Sequence, residues 1–195
     1  LILPPQPRRI VPHYVGFVDV AGGGADEYTL AIAHLEGEQV IIDGVWAERG
    51  DPAEITGRYA DILKRYRISN IMGDRYAADW PVQEYRKHGI SLEPADENRS
   101  GLYLELLPVL QTGRVELPPD NRTLTQLANL ERRTGRSGKD SIDHGPGGHD
   151  DRANAVAGAC YVAGHKRHQR VEPLPVSFPT GAANQGPTRW KPAGH

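Results

Sequence analysis

The start of the chain carries three β-rich runs joined by connections of only a few residues. The runs are YVGFVDVA (14–21), EYTLAIAHL (27–35) and QVIIDGVWAE (39–48), and the glycine-rich GGGAD and the polar EGE connect them. Antiparallel strands can be joined by such short connections, whereas parallel strands need a crossover of about a dozen or more residues. The three runs are therefore predicted to form an antiparallel meander.

Helical and strand-like segments alternate over the middle of the chain. Asp51 and Pro52 suit an N-cap and a first helical position, and AEITGRYADILKRY (53–66) then carries apolar residues at helical spacing. Further strands and helices are predicted, with a break or bend at Pro108, in the order NIMGD, ADWPVQEYRKHG, ISLEP and GLYLELLPVLQTG. Because strands that alternate with helices add in parallel, the sequence predicts an α/β domain with a mixed sheet flanked by helices.

The last third of the chain is predicted to return to a helix after a polar stretch. VELP (115–118) is predicted as a brief strand and TLTQLANLERR (123–133) as a helix. The glycine-rich RTGRSGKDSIDHGPGGH (133–149) is predicted to be a long loop or a hairpin. A final helix is predicted from about Asp150 to Lys166.

Length and composition favour one domain between two extended ends. With 195 residues, of which 38% are hydrophobic, the chain can bury one sizeable core. Residues 1–13, rich in proline, are predicted to be a linker, residues 14–168 the domain, and the Pro/Gly-rich residues 169–195 a flexible tail. The chain starts at Leu1 rather than at methionine, so we expect a fragment of a longer protein.

Charge and cysteine content limit the partners and the compartment. The 23 basic and 25 acidic residues give a formal net charge of -2, so a nucleic acid would have to be met by local basic patches. The single cysteine, Cys160, excludes an internal disulfide and suits a reducing compartment. Since no apolar run approaches about 20 residues, we expect no membrane span and a cytoplasmic protein.

Carboxylates occur at three places where the pattern makes them unusual. Asp19 lies in the apolar first strand, Asp74 ends the fourth, and Asp150 and Asp151 open the last helix. A carboxylate in an apolar strand is disfavoured by β propensity and by burial unless a positive charge offsets it. A sheet and a helix packed on its face can bring these residues together. Convergent carboxylates bind hard cations such as Mg²⁺ and Mn²⁺, so we predict a metal site.

Helix geometry distinguishes the paired aspartates. At about 100° per residue, Asp151 lies in line with Ala155 and Gly158, on a face of small residues that can press on a sheet. Asp150 lies roughly a quarter-turn away, on the side of Asn154. Asp151 is therefore predicted to be the aspartate that approaches the sheet.

Structural explanations stay open for several of these groups, although Asp19 is the hardest to explain in that way. Asp150 could be a helix cap, and Asp74 could form a local ion pair with Arg75 in a turn. The stretch GGGADEYT could be an ordinary hairpin turn. His149 could orient a ligand, bind a metal or simply be exposed to solvent.

Three segments together resemble the nuclease domain of the large terminase subunit of tailed bacteriophages. They are VDVAGGGADEYT, GDRYAADWPVQEYRKHGI and above all GKDSIDHGPGGHDDRANAVAGA, in that order. The resemblance covers residues 14 to about 165. It implies an RNase H-like fold with a mixed central sheet, and a two-metal endonuclease that cuts double-stranded, concatemeric viral DNA at the start and end of packaging.

The resemblance also implies a site for two Mg²⁺ or Mn²⁺ ions. Its catalytic and metal-binding carboxylates would be Asp19, Asp74 and Asp151, with Asp150 as an additional ligand or a partner of the ligands. His149 and Asn154 are candidates for residues that hydrogen-bond to the ligands without binding the metal themselves.

The implied partners are double-stranded DNA, the terminase ATPase domain, the portal and the small terminase subunit, in the cytoplasm of a bacterial host. No GxxxxGK[ST] phosphate loop occurs in the sequence, so the ATPase half is absent from this chain.

Three clusters of cations could contact DNA phosphates: Lys64, Arg65 and Arg67; Arg132, Arg133, Arg136 and Lys139; and Lys166, Arg167 and Arg170. We predict that the middle cluster binds DNA, because it precedes the aspartate pair through a glycine-rich connection. The alternative is that Arg132 and Arg133 solvate a helix end, where positive charge is favoured.

Other functions fit parts of the pattern. An actin-like ATPase or phosphotransferase also uses an Asp-bearing strand and a glycine turn, although it needs a second phosphate turn and two lobes. A non-catalytic module could bind DNA or the portal, with the acidic cluster serving structure. Holliday-junction resolvases share the carboxylate arrangement, so the fold alone does not settle the substrate.

Overall fold

The structure is a computed structural model of the chain. It describes residues 12–20, 26–74, 79–135, 138, 140–145 and 148–170, with side chains up to residue 165. Most of the predicted linker and tail lies outside these residues, so the domain boundaries stay predictions. None of the helices in these ranges is long and apolar enough to cross a membrane.

A mixed six-stranded sheet forms the centre of the fold. Its strands are β1 (Val15–Asp19), β2 (Tyr28–Glu36), β3 (Gln39–Glu48), β4 (Asn70–Gly73), β5 (Ser91–Pro94) and β6 (Val115–Glu116), in the order β5-β4-β1-β2-β3-β6. β1, β2 and β3 pair antiparallel, whereas β4, β5 and β6 each pair parallel with their neighbours. The predicted meander and the parallel additions are both confirmed.

Helices cover both faces of the sheet. They are α1 (Pro52–Arg65), α2 (Asp79–Lys87), α3 (Arg99–Gln111), α4 (Asn121–Ala128) and α5 (Asp151–Arg170). Along β1 the side chains alternate, so that Phe17 packs in the core with α3 and α5 while Val18 packs in the core with α1 and α2. Burial on both faces explains why β1 and β2 carry runs of consecutive apolar residues, VGFV in β1 and LAIA in β2.

A close approach places α5 against the sheet. A Cβ added at Gly158 would overlap the ring of Phe17 in β1. Ala155, one turn earlier, is also fully buried in the core that contains Phe17. The small-residue face predicted from the helix geometry is therefore the face that α5 presents to the sheet.

The segment after α4 differs from its prediction. The helix ends at Ala128, and Leu130–Thr134 forms β7, which pairs antiparallel with β8 (Asp140–His144). The prediction of a helix through Arg133 is thus wrong, because this segment exchanges backbone hydrogen bonds with a partner strand across the glycine-rich connection. Of the two predictions for that connection, the hairpin is correct. A hydrogen bond of 2.9 Å from Ile142 N to Ser100 Oγ joins β8 to α3.

Two other helices differ from their predicted bounds. α3 begins and ends two residues earlier than the predicted GLYLELLPVLQTG, and it continues through Pro108, so the predicted interruption there is wrong. Proline removes one hydrogen-bond donor from the last turn of α3, and burial of Leu102, Tyr103 and Leu106 holds the helix in place. α5 extends to Arg170, past the predicted end at Lys166.

Candidate metal centre

Two of the predicted carboxylates lie side by side at the C-terminal ends of two adjacent strands. β1 and β4 are adjacent and parallel, with Val18 opposite Gly73. Asp19, which ends β1, and Asp74, which follows β4, are the next residues along the two strands. The register therefore brings together two residues that lie far apart in sequence.

Asn154 of α5 links these two carboxylates. Its Nδ2 donates to Asp19 Oδ2 over 2.8 Å and lies 3.4 Å from Asp74 Oδ2. The side chain is fully buried, and its Oδ1 is one of two buried side-chain atoms in the described part of the chain that lack a hydrogen-bond partner. An amide oxygen left without a donor, next to two carboxylates, suits a bound cation.

Asp151, in the first turn of α5, lies close enough to Asp19 for its charge to raise the pKa of Asp19. Its side chain is buried, and its Oδ2 accepts a 3.0 Å hydrogen bond from the backbone N–H of Glu27, just before β2. The Asp151 carboxylate also lies near Asp26 and His149. His149 Nδ1 lies 3.3 Å from Asp26 Oδ1. Ligand atoms of Asp26, His149 and Asp151 all lie within 4.8 Å of one another, so this triad can also hold a cation.

The electrostatics of the site favour a cation. Burial raises the pKa of Asp19 to about 7; Arg99 and Asn154 lower it, and the neighbouring Asp151 and Asp74 raise it. Burial also raises the pKa of Asp151, against the effect of the Glu27 N–H. Burial and mutual repulsion disfavour the ionised form of these carboxylates. A divalent cation that lies between them stabilises the ionised form. The residues present therefore fit Mg²⁺ or Mn²⁺.

Arg99, the first residue of α3, contacts three of the carboxylates. Its Nη1 lies 3.0 Å from Asp150 Oδ1, and its Nη2 lies 3.8 Å from Asp74 Oδ2 and 4.0 Å from Asp19 Oδ2. Burial lowers the pKa of Arg99, but Asp19 and Asp150 raise it above its usual value. Sequence reasoning missed this residue. A positive charge at a helix start is disfavoured by the helix dipole, and this was the signal that could have found it.

Asp150 is held by α3 and β8. Its Oδ2 accepts a 2.8 Å hydrogen bond from the Tyr103 hydroxyl, and its Oδ1 contacts Arg99 and, at 3.9 Å, His144 Nε2. Its backbone oxygen accepts the first hydrogen bond of α5, from Asn154 N. The residue thus stands at the N-cap position, with both side-chain oxygens engaged elsewhere. Asp143, His144 and Asp150 form the second group whose ligand atoms lie within 4.8 Å.

A polar network fixes the N-terminus of α5. Gln126 Oε1 of α4 accepts hydrogen bonds from Arg152 N (2.8 Å) and Ala153 N (3.2 Å), two donors that the helix itself leaves unpaired. The Arg152 side chain donates to Glu27 Oε2 over 3.0 Å and to Asp120 Oδ2 over 2.8 Å. Sequence reasoning did not single out these residues. They hold the turn that carries Asp151 against the start of β2.

Two of the predicted DNA-binding cations, Arg132 and Arg133, lie on strand β7 of the hairpin. Arg132 pairs with Asp140, and Arg133 Nη2 lies 2.8 Å from Glu131 Oε2; both arginine side chains are 57% exposed. They lie on a strand, so the alternative that they solvate a helix end is wrong. Arg136 and Lys139 lie outside the described residues, as do Arg75 and the side chains of Lys166, Arg167 and Arg170.

Comparison with known proteins rests on structure. No model of a known protein family matches the chain, and no curated protein matches its sequence. The large terminase nuclease of the thermophilic phage G20c is similar at 22% identity, with a TM-score of 0.66 over 83% of this chain and 93% of that one. Its magnesium-bound form gives a TM-score of 0.65 at 22% identity, over 77% of this chain and 82% of that one.

A structure from another phage gives the same result. The nuclease domain of the large terminase of bacteriophage SPP1, with bound Mn, is similar at 13% identity, with a TM-score of 0.58 over 78% of this chain and 88% of that one. The chain therefore shares the fold of these solved phage terminase nuclease domains, a mixed sheet flanked by helices. Among such proteins it is similar to the nuclease domains of phage large terminases, and the resemblance found in the sequence is confirmed in the fold.

Proposed function

We propose that this chain is the nuclease domain of a large terminase subunit, a metal-dependent endonuclease that cuts double-stranded, concatemeric viral DNA during packaging. The observation that carries the proposal is the contact of Asn154 with both Asp19 and Asp74. That contact joins two adjacent strand ends to the helix that also carries Asp151. Such a group of buried oxygens, at the edge of this fold, is what a divalent cation needs.

The ligands of the cation would be Asp19, Asp74 and Asp151, and two Mg²⁺ or Mn²⁺ ions would occupy the site in the full form of the proposal. When bound, such ions lower the pKa of a water that attacks the phosphodiester and offset charge on the departing 3′ oxygen. The terminase nucleases of phages G20c and SPP1 have been solved with bound magnesium and Mn, which supports this choice of ions.

The chain's own residues would fix the geometry of the reaction. Asn154 orients Asp19 and Asp74, and the Glu27 N–H orients Asp151. Residues that support ligands in this way change metal affinity by roughly 10- to 100-fold when they are removed. We assign the same supporting role to His149, through its contact with Asp26 and its place beside Asp151.

DNA would be held beside the site through its phosphates. Arg132 and Arg133 project from β7 and are largely exposed, and Arg136 and Lys139 belong to the same predicted cluster. Such contacts position a duplex without reading its bases. In the whole packaging machine the partners would be the ATPase domain, the portal and the small terminase subunit, in the cytoplasm of a bacterial host.

A cleavage assay tests the proposal against its rivals. Purified protein is incubated with supercoiled plasmid and Mn²⁺ or Mg²⁺, alongside EDTA, Asp19→Ala and the control Asp61→Asn, which removes a carboxylate that is 70% exposed on α1. We expect metal-dependent nicking and linearisation by the wild type and by the control, and none by Asp19→Ala. Retention of DNA without cutting under any metal would indicate a binding module. Metal-dependent ATP hydrolysis without cutting would indicate an actin-like ATPase.

A further inference from the structure

The guanidinium of Arg99 takes up the position among the carboxylates where a cation would also be stabilised. Its Nη2 is near Asp19 Oδ2 and Asp74 Oδ2, the same two oxygens that Asn154 contacts. A divalent cation bound there would need these oxygens as ligands. Arg99 and the metal are therefore competitors for one set of negative charges.

The contacts of Arg99 are unequal. Nη1 makes a direct 3.0 Å hydrogen bond to Asp150 Oδ1, whereas Nη2 is 3.8 Å from Asp74 and 4.0 Å from Asp19, beyond hydrogen-bond length. Asp150 is itself fixed by the Tyr103 hydroxyl. One end of the guanidinium is thus anchored and the other is held by charge alone. The anchored end can persist while the other end changes partners.

We propose that Arg99 is a built-in counter-ion that holds the acidic residues together without metal and, once the cation is bound, turns its freed Nη2 to a phosphate of the DNA strand. This inference rests on the proposed function. The side chain is 39% exposed, so the group is open to a ligand from solvent. A guanidinium presents paired donors that match phosphate oxygens.

The proposal gives the adjacent aspartates different roles. Asp151 belongs with the predicted metal ligands. Asp150 anchors Arg99, which pairs with the carboxylates when no metal is bound and with a DNA phosphate when metal is bound. The roughly quarter-turn between consecutive helical residues explains why two neighbours reach different elements. Asp150 therefore acts here as a positioning residue, through Arg99.

Arg99→Ala and Arg99→Lys test the competition. Titration calorimetry of Mn²⁺ is expected to give about tenfold tighter binding to Arg99→Ala than to wild type, because the competing charge is gone. The melting temperature in EDTA should fall and the rise on adding Mn²⁺ should grow. Arg99→Lys, which keeps the charge, should bind Mn²⁺ like the wild type. Arg99→Met keeps the aliphatic stem and replaces Arg99→Ala if the latter fails to fold.

Duplex binding tests the exchange of partners. In Ca²⁺, affinity for a short duplex should fall about tenfold in both Arg99→Ala and Arg99→Lys, and the slope of log affinity against log salt should fall by about one in Arg99→Ala. The control is Arg58→Ala, which breaks a pairing of 2.6 Å with Glu48. It should leave both affinities unchanged.

Two results would overturn the inference. Mn²⁺ affinity that is unchanged or weaker in Arg99→Ala would make Arg99 a support rather than a competitor. If the slope of log affinity against log salt were the same in Arg99→Ala as in the wild type, Arg99 would not contact a DNA phosphate. Both differ from failure of the proposed function, which would appear as a wild type that neither binds Mn²⁺ nor cuts DNA.

Discussion

Gly158 of α5 lies so close to Phe17 of β1 that any side chain at position 158 would overlap the phenyl ring. The contact lies two residues before Asp19 along β1 and about two turns after Asp151 along α5. Because Gly158 has no side chain, α5 can lie close to the sheet. This close packing sets the distance between the first turn of α5 and the ends of the strands.

Replacement of this glycine tests that dependence. Gly158→Ala should destabilise the protein by about 1–3 kcal/mol, because the added methyl group forces α5 away from β1. Gly164→Ala in the same helix is the matched control: no atom lies within 4 Å of its added Cβ, so it should stabilise by about 0.5–1 kcal/mol through helix propensity. Urea denaturation measures both changes. Equal stabilisation by the two substitutions would show that α5 is not tightly seated.

The metal-free protein should lose stability as the pH rises. The pKa of Asp19 is raised from 3.8 to about 7, so the folded state binds the proton more tightly than the unfolded state does. Protonation of Asp19 therefore contributes most to the free energy of unfolding below about pH 4, and this contribution is lost as the pH rises through about 7. Asp151, whose pKa is also raised, adds in the same direction.

Denaturation in EDTA at several values between pH 5 and pH 8 measures this loss. Asp19→Asn should flatten the pH dependence, and Mn²⁺ should reduce it in the wild type because the cation stabilises the ionised carboxylate. A wild type and an Asp19→Asn variant with parallel pH curves would contradict the assignment.

The amide of Gln126 should contribute to the stability of α5. Gln126→Ala removes the acceptor of two N–H groups at the start of the helix, and loss of such a cap costs about 1 kcal/mol. Thr125→Ala, next to it on the exposed side of α4, is the control and should change the free energy of unfolding little. Because the capped turn carries Asp151, Gln126→Ala should also weaken Mn²⁺ binding. Unaltered Mn²⁺ affinity would show that the cap serves stability alone.

The paired aspartates should respond differently to neutralisation. Asp151→Asn should lower Mn²⁺ affinity by at least about tenfold and abolish cutting, because it removes a ligand. Asp150→Asn should keep Mn²⁺ affinity but lose duplex affinity, because the anchor of Arg99 is weakened. Titration calorimetry and anisotropy of a labelled duplex separate the two effects. Equal loss of Mn²⁺ affinity in both variants would make Asp150 a ligand.

The carboxylate positions could be predicted because local patterns identify them. An aspartate in an apolar strand is conspicuous, and the roughly 100° step of a helix separates Asp150 from Asp151. The hairpin strand β7 could not be found in the same way. Leu124, Leu127 and Leu130 continue a helical spacing up to the segment ERR, and only pairing with β8 makes that segment extended.

Arg99 and Gln126 show a different limit of sequence reasoning. Each acts through residues far away in the chain, Arg99 on Asp19, Asp74 and Asp150, and Gln126 on the start of α5. Their roles follow from the packing of α3 and α4 beside α5. The unfavourable charge at the start of α3 marks Arg99 as unusual, but no local pattern identifies the distant residues that Arg99 and Gln126 contact.

The central claim is that Asp19, Asp74 and Asp151 share divalent ions, and anomalous scattering from crystals soaked in Mn²⁺ tests it most directly. The account predicts manganese peaks within bonding distance, about 2.2 Å, of oxygens from all three residues. Manganese bound instead only to the Asp26, His149 and Asp151 group, or only to the Asp143, His144 and Asp150 group, with Asp19 untouched, would contradict it.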